Sequence, residues 1–226
     1  MIPVQPRPEP EGFDARVREP GLAWLDAVRE RVHAITEPRA YWREWPECSR
    51  ALRAAFGRRC AFAAMRISEG HVDHMRSWRW CRDAGQPELT YEWSNLRYVM
   101  PAVNSRKGDR VVLDPFEVQP GWFVVALPSL LLRTTDAIPA ERRELADRTI
   151  RRLGLNRDPV LGLRTEYMFD YRAGEFSLEH LRRCAPLLAE AIAELARADA
   201  EALAPELRSY REALRSQRER AGAAFP

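Results

Sequence analysis

A chain of 226 residues with 46% hydrophobic and 9% aromatic residues can bury roughly 70% of its unfolded surface in one domain, which excludes a stapled miniprotein and a disordered tail. Its formal net charge is only +3, and its longest apolar stretch, Trp122 to Leu132, is interrupted by Pro128 and falls well short of the roughly 20 residues that a spanning helix needs. No membrane partner is expected. The opening MIPVQPRPEPEGFD has acid and proline where a secretory signal has a basic start and an apolar core, so a cytoplasmic location is the expectation. The cysteines, Cys48, Cys60, Cys81 and Cys184, form no close pair and spell neither a disulfide framework nor a complete zinc site. Of 36 basic residues, 35 are arginine, and Lys107 is the single lysine. Arg39 to Arg66 sets seven arginines against Glu44 and Glu47, a weakly cationic stretch that suits phosphate.

In chain order, residues 1–20 are proline-rich and read as an extended arm, and residues 21–226 as one domain. Leu22, Leu25, Val28 and Val32 recur at helical spacing until Pro38. A second helix starts at Pro46, presents Leu52, Ala55 and Phe56, and stops at Gly57. Between about 60 and 109 the helical period fades. The pattern there predicts a strand near Gly70 to His74, a long polar and aromatic loop over 75–90, a strand near Leu96 to Met100, and a short helix from Pro101 to Lys107 ended by Gly108. GWFVVALPSLLLR predicts two short extended pieces broken by Pro128. Helices follow over about 139–153 and 159–173, from Ser177 with Pro186 kinking or splitting it, and along Leu203, Leu207, Tyr210 and Leu214, up to about 220. The fold class is therefore α+β and predominantly helical.

Four of the chain's seven His and Asn residues, His71, His74, Asn95 and Asn104, share a window of 34 residues with Asp73. Asp73 and the amide oxygen of Asn104 are hard ligands suited to one partly hydrated Mg²⁺ or Mn²⁺. His74, whose unperturbed pKa is near 6.5, is the candidate general base for a water attacking phosphorus, with Asn95 or a backbone carbonyl fixing its tautomer. Lys107 lies one helical turn beyond Asn104 and is placed to stabilise phosphate charge, with Arg106 as its substitute. Successive strand residues point to opposite faces, so Asp73 and His74 can address one phosphate only where the strand ends. Taken singly, each residue also has an ordinary reading. An Asp-His pair is commonly a local hydrogen bond, an Asn a turn or cap, and NSRKGD a helix terminus.

Together, CAFAAMRISEGHVDHMRSW and YEWSNLRYVMPAVNSRKGD resemble the HNH endonuclease family with its ββα-metal motif, and PEPEGFDARVREPGLAWL, LDPFEV, GWF, PSLLLR and RLGLN are similar to a group of bacterial HNH proteins up to about residue 195. The resemblance implies Asp73 and Asn104 as metal ligands, His74 as general base and Asn95 as the residue orienting it. Where that group carries further cysteines this chain has Ala63, Ala64 and Met100, so a structural zinc is not expected. Where the group has Pro-Lys after the Asp-His, this chain has Met75 to Trp78, with Arg76 as the replacement phosphate contact.

The expected function is DNA phosphodiester hydrolysis with one Mg²⁺ or Mn²⁺, with strand contacts from Arg76, Arg97, Arg106 and Lys107. A second reading is an HNH-like scaffold turned to a small organic substrate, with Trp78, Trp80 and Trp93 walling a closed apolar pocket. A third is a non-catalytic nucleic-acid-binding or partner-binding relic, whose C-terminal helices pair in a homodimer or with another chain.

Overall fold

Pro46 at the first helical position and Gly57 beyond the last turn bracket a helix at Pro46–Ala55 (α3) in the structure, a computed structural model describing residues 1–226. It follows Glu19–Ala27 (α1) and the single turn Tyr41–Glu44 (α2). From α3, Leu52 and the adjoining Phe56 enter the core, as their spacing predicts. The first helical stretch differs from its prediction. It begins at Asp14 as a π-wound turn and tightens to 3₁₀ over Arg29–Ala34. Leu22 is 41% exposed, and Gly21 faces inward instead. The Tyr91 ring packs so closely on Gly21 that a Cβ there would meet it at 2.3 Å. The N-terminal arm wraps the domain: Met1 is buried, and the Trp93 indole donates to the Arg7 carbonyl at 2.9 Å.

The centre of the chain forms a hairpin followed by a helix. His71–His74 (β1) and Leu96–Val99 (β2) pair antiparallel, with His71 opposite Val99 and Asp73 opposite Arg97. Pro101–Lys107 (α5) follows at once and ends at Gly108, whose φ of 49° is left-handed. The predicted loop over 75–90 is not structureless. It holds the helix Trp78–Asp83 (α4), capped by the Ser77 hydroxyl accepting from Trp80 N, and a 3₁₀ turn at Pro87–Tyr91.

Phe123–Ala126 (β3) and Leu131–Thr134 (β4) form the second hairpin, with Pro128 in its turn. Helices Ala140–Leu153 (α6), Val160–Arg172 (α7), Leu178–Cys184 (α8), Pro186–Arg197 (α9) and Pro205–Arg220 (α10) complete the chain. Pro186 divides α8 from α9, and Leu181, Ala185, Leu188, Ile192 and Leu195 point inward across the break. Leu203 lies before α10 instead of on it. The fold is thus α+β and mostly helical with two two-stranded sheets, and no helix is long and apolar enough to cross a membrane. One core cluster joins Leu52, Leu96, Val99, Val103, Leu153 and Leu188, so the central hairpin and α5 rest on both helical regions.

Arginine has an internal use here. Arg164, 1% exposed, donates to the carbonyls of Leu130 and Leu155 at 2.6 and 3.1 Å, and Arg218 donates to that of Phe176 at 2.8 Å. A guanidinium carries five donors in a fixed fork, so one side chain satisfies several buried loop carbonyls at once.

Candidate active site at the hairpin and helix junction

Alternation along β1 turns Asp73 toward α5 and His74 toward the N-terminal helices. The Asp73 carboxylate is 7% exposed, and its Oδ1 receives the Lys107 ammonium at 3.2 Å, while its buried Oδ2 has no hydrogen-bond partner. Lys107 Nζ also donates to the His74 carbonyl at 2.5 Å. The lysine is therefore 1% exposed and committed to the strand, which corrects its expected reach toward phosphate. Burial raises the Asp73 carboxyl to about 6 against the opposing pull of Lys107 and Arg97. Asn104 stands one turn before Lys107 on α5 and is half-buried.

The His74 imidazole packs edge-on to Trp42, with ring centroids 4.5 Å apart, and its Nε2 lies 3.0 Å from the Thr90 carbonyl oxygen. A carbonyl only accepts, so Nε2 carries the proton and Nδ1 keeps the lone pair. Thr90, not Asn95, thus fixes the tautomer. Asn95 staples the loop after β1: its Oδ1 accepts from Arg76 N at 2.8 Å, and its Nδ2 donates to the Arg76 and Leu89 carbonyls at 3.0 Å. Its role in orienting His74 is indirect, through the backbone on either side of the ring. Burial lowers the imidazole to about 4, with the Lys107 and Arg43 charges adding to the shift and the Thr90 carbonyl opposing it. His74 is neutral at pH 7, the protonation state a base requires.

That depressed value has a consequence for the metal-free fold. The unfolded chain protonates His74 first, so the stability this residue contributes is complete above about 6.5 and lost as pH falls toward about 4. Between about pH 7 and pH 4.5 the wild type should lose about 2 kcal/mol more than His74→Phe, read from urea unfolding at both pH values. Asp73, raised in the fold, titrates with the opposite sign in both proteins and cancels from the difference. Equal losses in the two proteins would contradict the shift.

Two expected strand contacts are corrected. Arg97 is 2% exposed and engages Asp114 through Nε–Oδ1 at 3.0 Å and Nη2–Oδ2 at 2.6 Å. Its Nη1 donates to the Ser94 and Leu96 carbonyls at 2.7 and 2.8 Å, and its guanidinium lies 3.6 Å over the Phe116 ring. Arg97 is a buried strut, unavailable to a substrate. Arg106 donates to the Asp158 carbonyl at 2.6 Å and approaches those of Leu153 and Gly154, tying α5 to the segment after α6. Arg76 is exposed instead, with its guanidinium 4.5 Å over Trp80.

The aromatic residues named for an apolar pocket are dispersed. Trp78 donates to the Ile35 carbonyl at 3.0 Å, and Trp93 packs on Phe13 beside the arm. The cleft beside the site, about 290 Å³, is mixed polar and includes Trp80 but neither Trp78 nor Trp93. The four cysteines are all buried and free. Cys60 Sγ accepts from Met100 N at 3.4 Å and Ala63 N at 3.5 Å, bridging two positions at which the HNH group this chain resembles carries further thiols.

No cluster of three His, Cys, Asp or Glu side chains is present, so a metal here would rest on Asp73 and an amide oxygen with water completing its shell. The unpartnered, buried Oδ2 of Asp73 fits such an ion. Comparison with protein-family models, with curated proteins and with solved structures returned no match to this chain.

Proposed function

We propose that the unit formed by β1, β2 and α5 hydrolyses DNA phosphodiester bonds with one Mg²⁺ or Mn²⁺, as an HNH-type nuclease. The observation that carries this reading is the buried Asp73 carboxylate at the hairpin and helix junction, one oxygen on Lys107 and the other without a partner. An unsatisfied buried carboxylate oxygen costs free energy, and a bound divalent ion would satisfy it. Asp73 and Asn104 would hold the ion, which when bound supplies charge stabilisation at phosphate and leaving oxygen.

The chain's own residues divide the remaining work. Lys107 pins the end of β1 to α5 and offsets the carboxylate's charge. His74, held as the Nε2–H tautomer by Thr90, presents Nδ1 as the proton acceptor for the attacking water. Because the ring lies on the hairpin face opposite Asp73, both groups reach one phosphate only at the C-terminal edge of β1. Asn95 fixes the loop that forms this edge. Arg76 meets the strand there.

One observation favours a second reading, a non-catalytic hairpin that only binds nucleic acid: the imidazole is packed against Trp42. Incubation of the chain with supercoiled plasmid separates the two readings. The hydrolase should give nicked circles in Mg²⁺ or Mn²⁺ and none in chelator. Retained plasmid binding with no nicking under either ion would leave the binding hairpin.

A further inference from the structure

Where β1 gives way to its loop and α5 to the segment 109–112, a cleft of about 290 Å³ opens, lined among others by Arg76, Trp80, Arg110, Val111, Arg142 and Leu145. Met75, one residue beyond His74, and Asp109, two beyond Lys107, also line it, so the cleft adjoins the proposed site. Its size is at the lower limit of small-ligand pockets, about 300 Å³, which suits one nucleotide and not a duplex.

The lining has an unusual composition for a surface hollow. Trp80 is 37% exposed and Val111 65% exposed, while the Arg76 guanidinium sits 4.5 Å over the indole. Two of the carboxylates in the wall are already engaged: Asp114 by Arg97 at 2.6 Å and Glu117 by Arg142 at 2.9 Å. Arg76 and Arg110 then face Asp109 alone, so the wall is weakly cationic. An exposed aromatic ring carrying a guanidinium, in a cationic hollow, is the combination that stacks bases of an unpaired strand without reading their edges.

We propose that this cleft takes one unstacked nucleobase of a single-stranded or locally opened DNA strand, resting on Trp80 and Arg76, with the adjoining phosphate directed to the edge of β1. The assignment rests on the nuclease reading for the purpose of the subsite, though base stacking itself requires no ion. It gives the site a preference for unpaired DNA.

The test is fluorescence anisotropy with a short labelled oligothymidine, in chelator so that nothing is cut, against a duplex of the same length. The wild type should bind the single strand more tightly than the duplex. Trp80→Ala should weaken single-strand binding about tenfold, the loss of one base stack. Trp80→Phe should stay within about threefold of the wild type, since a ring is retained. Trp80 lies on the surface of α4, and matching circular dichroism would verify that the variants fold. Unchanged affinity in Trp80→Ala, tighter binding of the duplex, or no binding of either probe would overturn the proposal. Plasmid cleavage keeps the two ideas apart. Metal-dependent nicking without a Trp80 effect retires the cleft alone, whereas Trp80-dependent binding without nicking retires the hydrolase alone.

Discussion

Replacing His74 with alanine should lower metal-dependent plasmid nicking by at least about 10²-fold while leaving the circular dichroism spectrum unchanged. General-base catalysis is typically worth 10²- to 10⁴-fold, and no other imidazole lies in β1, β2 or α5 except His71, which is exposed at the far end of the strand. The Trp42 contact means that alanine also removes packing, so His74→Gln is the companion variant: it fills similar space and can still donate to the Thr90 carbonyl. Both variants should bind plasmid as the wild type does and fail to nick it. A glutamine variant that nicks at the wild-type rate would remove His74 from the mechanism.

The largest effect on stability should come from Arg97. Truncation to alanine leaves Asp114 without its charged partner and strips donors from the Ser94 and Leu96 carbonyls, and breaking a buried ion pair by removing one member costs about 3–5 kcal/mol. Arg97→Lys should recover little of this, because an ammonium cannot reproduce the two-pronged contact with Asp114 or lie flat on Phe116. Urea unfolding measures both variants. The double variant Arg97→Ala with Asp114→Ala should lose less than the sum of the two single losses, as neighbours in one network do. Additive losses, or a loss below about 1 kcal/mol for Arg97→Ala, would show that the pair is not the strut described above.

The contrast between these two residues shows what could be read from the sequence. The hairpin and helix were legible because their punctuation is local: Pro101 opens α5, Gly108 ends it, and HVDH and LRYV have strand character. Arg97 was misread because LRYV is buried at all four positions, a strand covered on both faces, while alternation alone would have sent every second residue to solvent. Its partner Asp114 lies 17 residues on, beyond the reach of any local pattern. Lys107 stood out as the only lysine, but its direction depended on how α5 packs across β1. The sequence leaves the imidazole's partner open between Asn95 and a backbone carbonyl, and the 3₁₀ turn at Pro87–Tyr91 supplies the carbonyl. α4 did leave a signal, Ser77 three residues before Trp80, which is the spacing of an N-cap and its amide.

An HNH-type nuclease here needs an ion held by Asp73 and Asn104, and Mn²⁺ binding followed by electron paramagnetic resonance tests that claim independently of any cleavage assay. The wild type should bind one Mn²⁺ per chain in the presence of DNA, and Asp73→Ala and Asn104→Ala should each weaken it about tenfold or more while binding DNA normally. Mn²⁺ bound equally by all three proteins, or by none, would contradict the account.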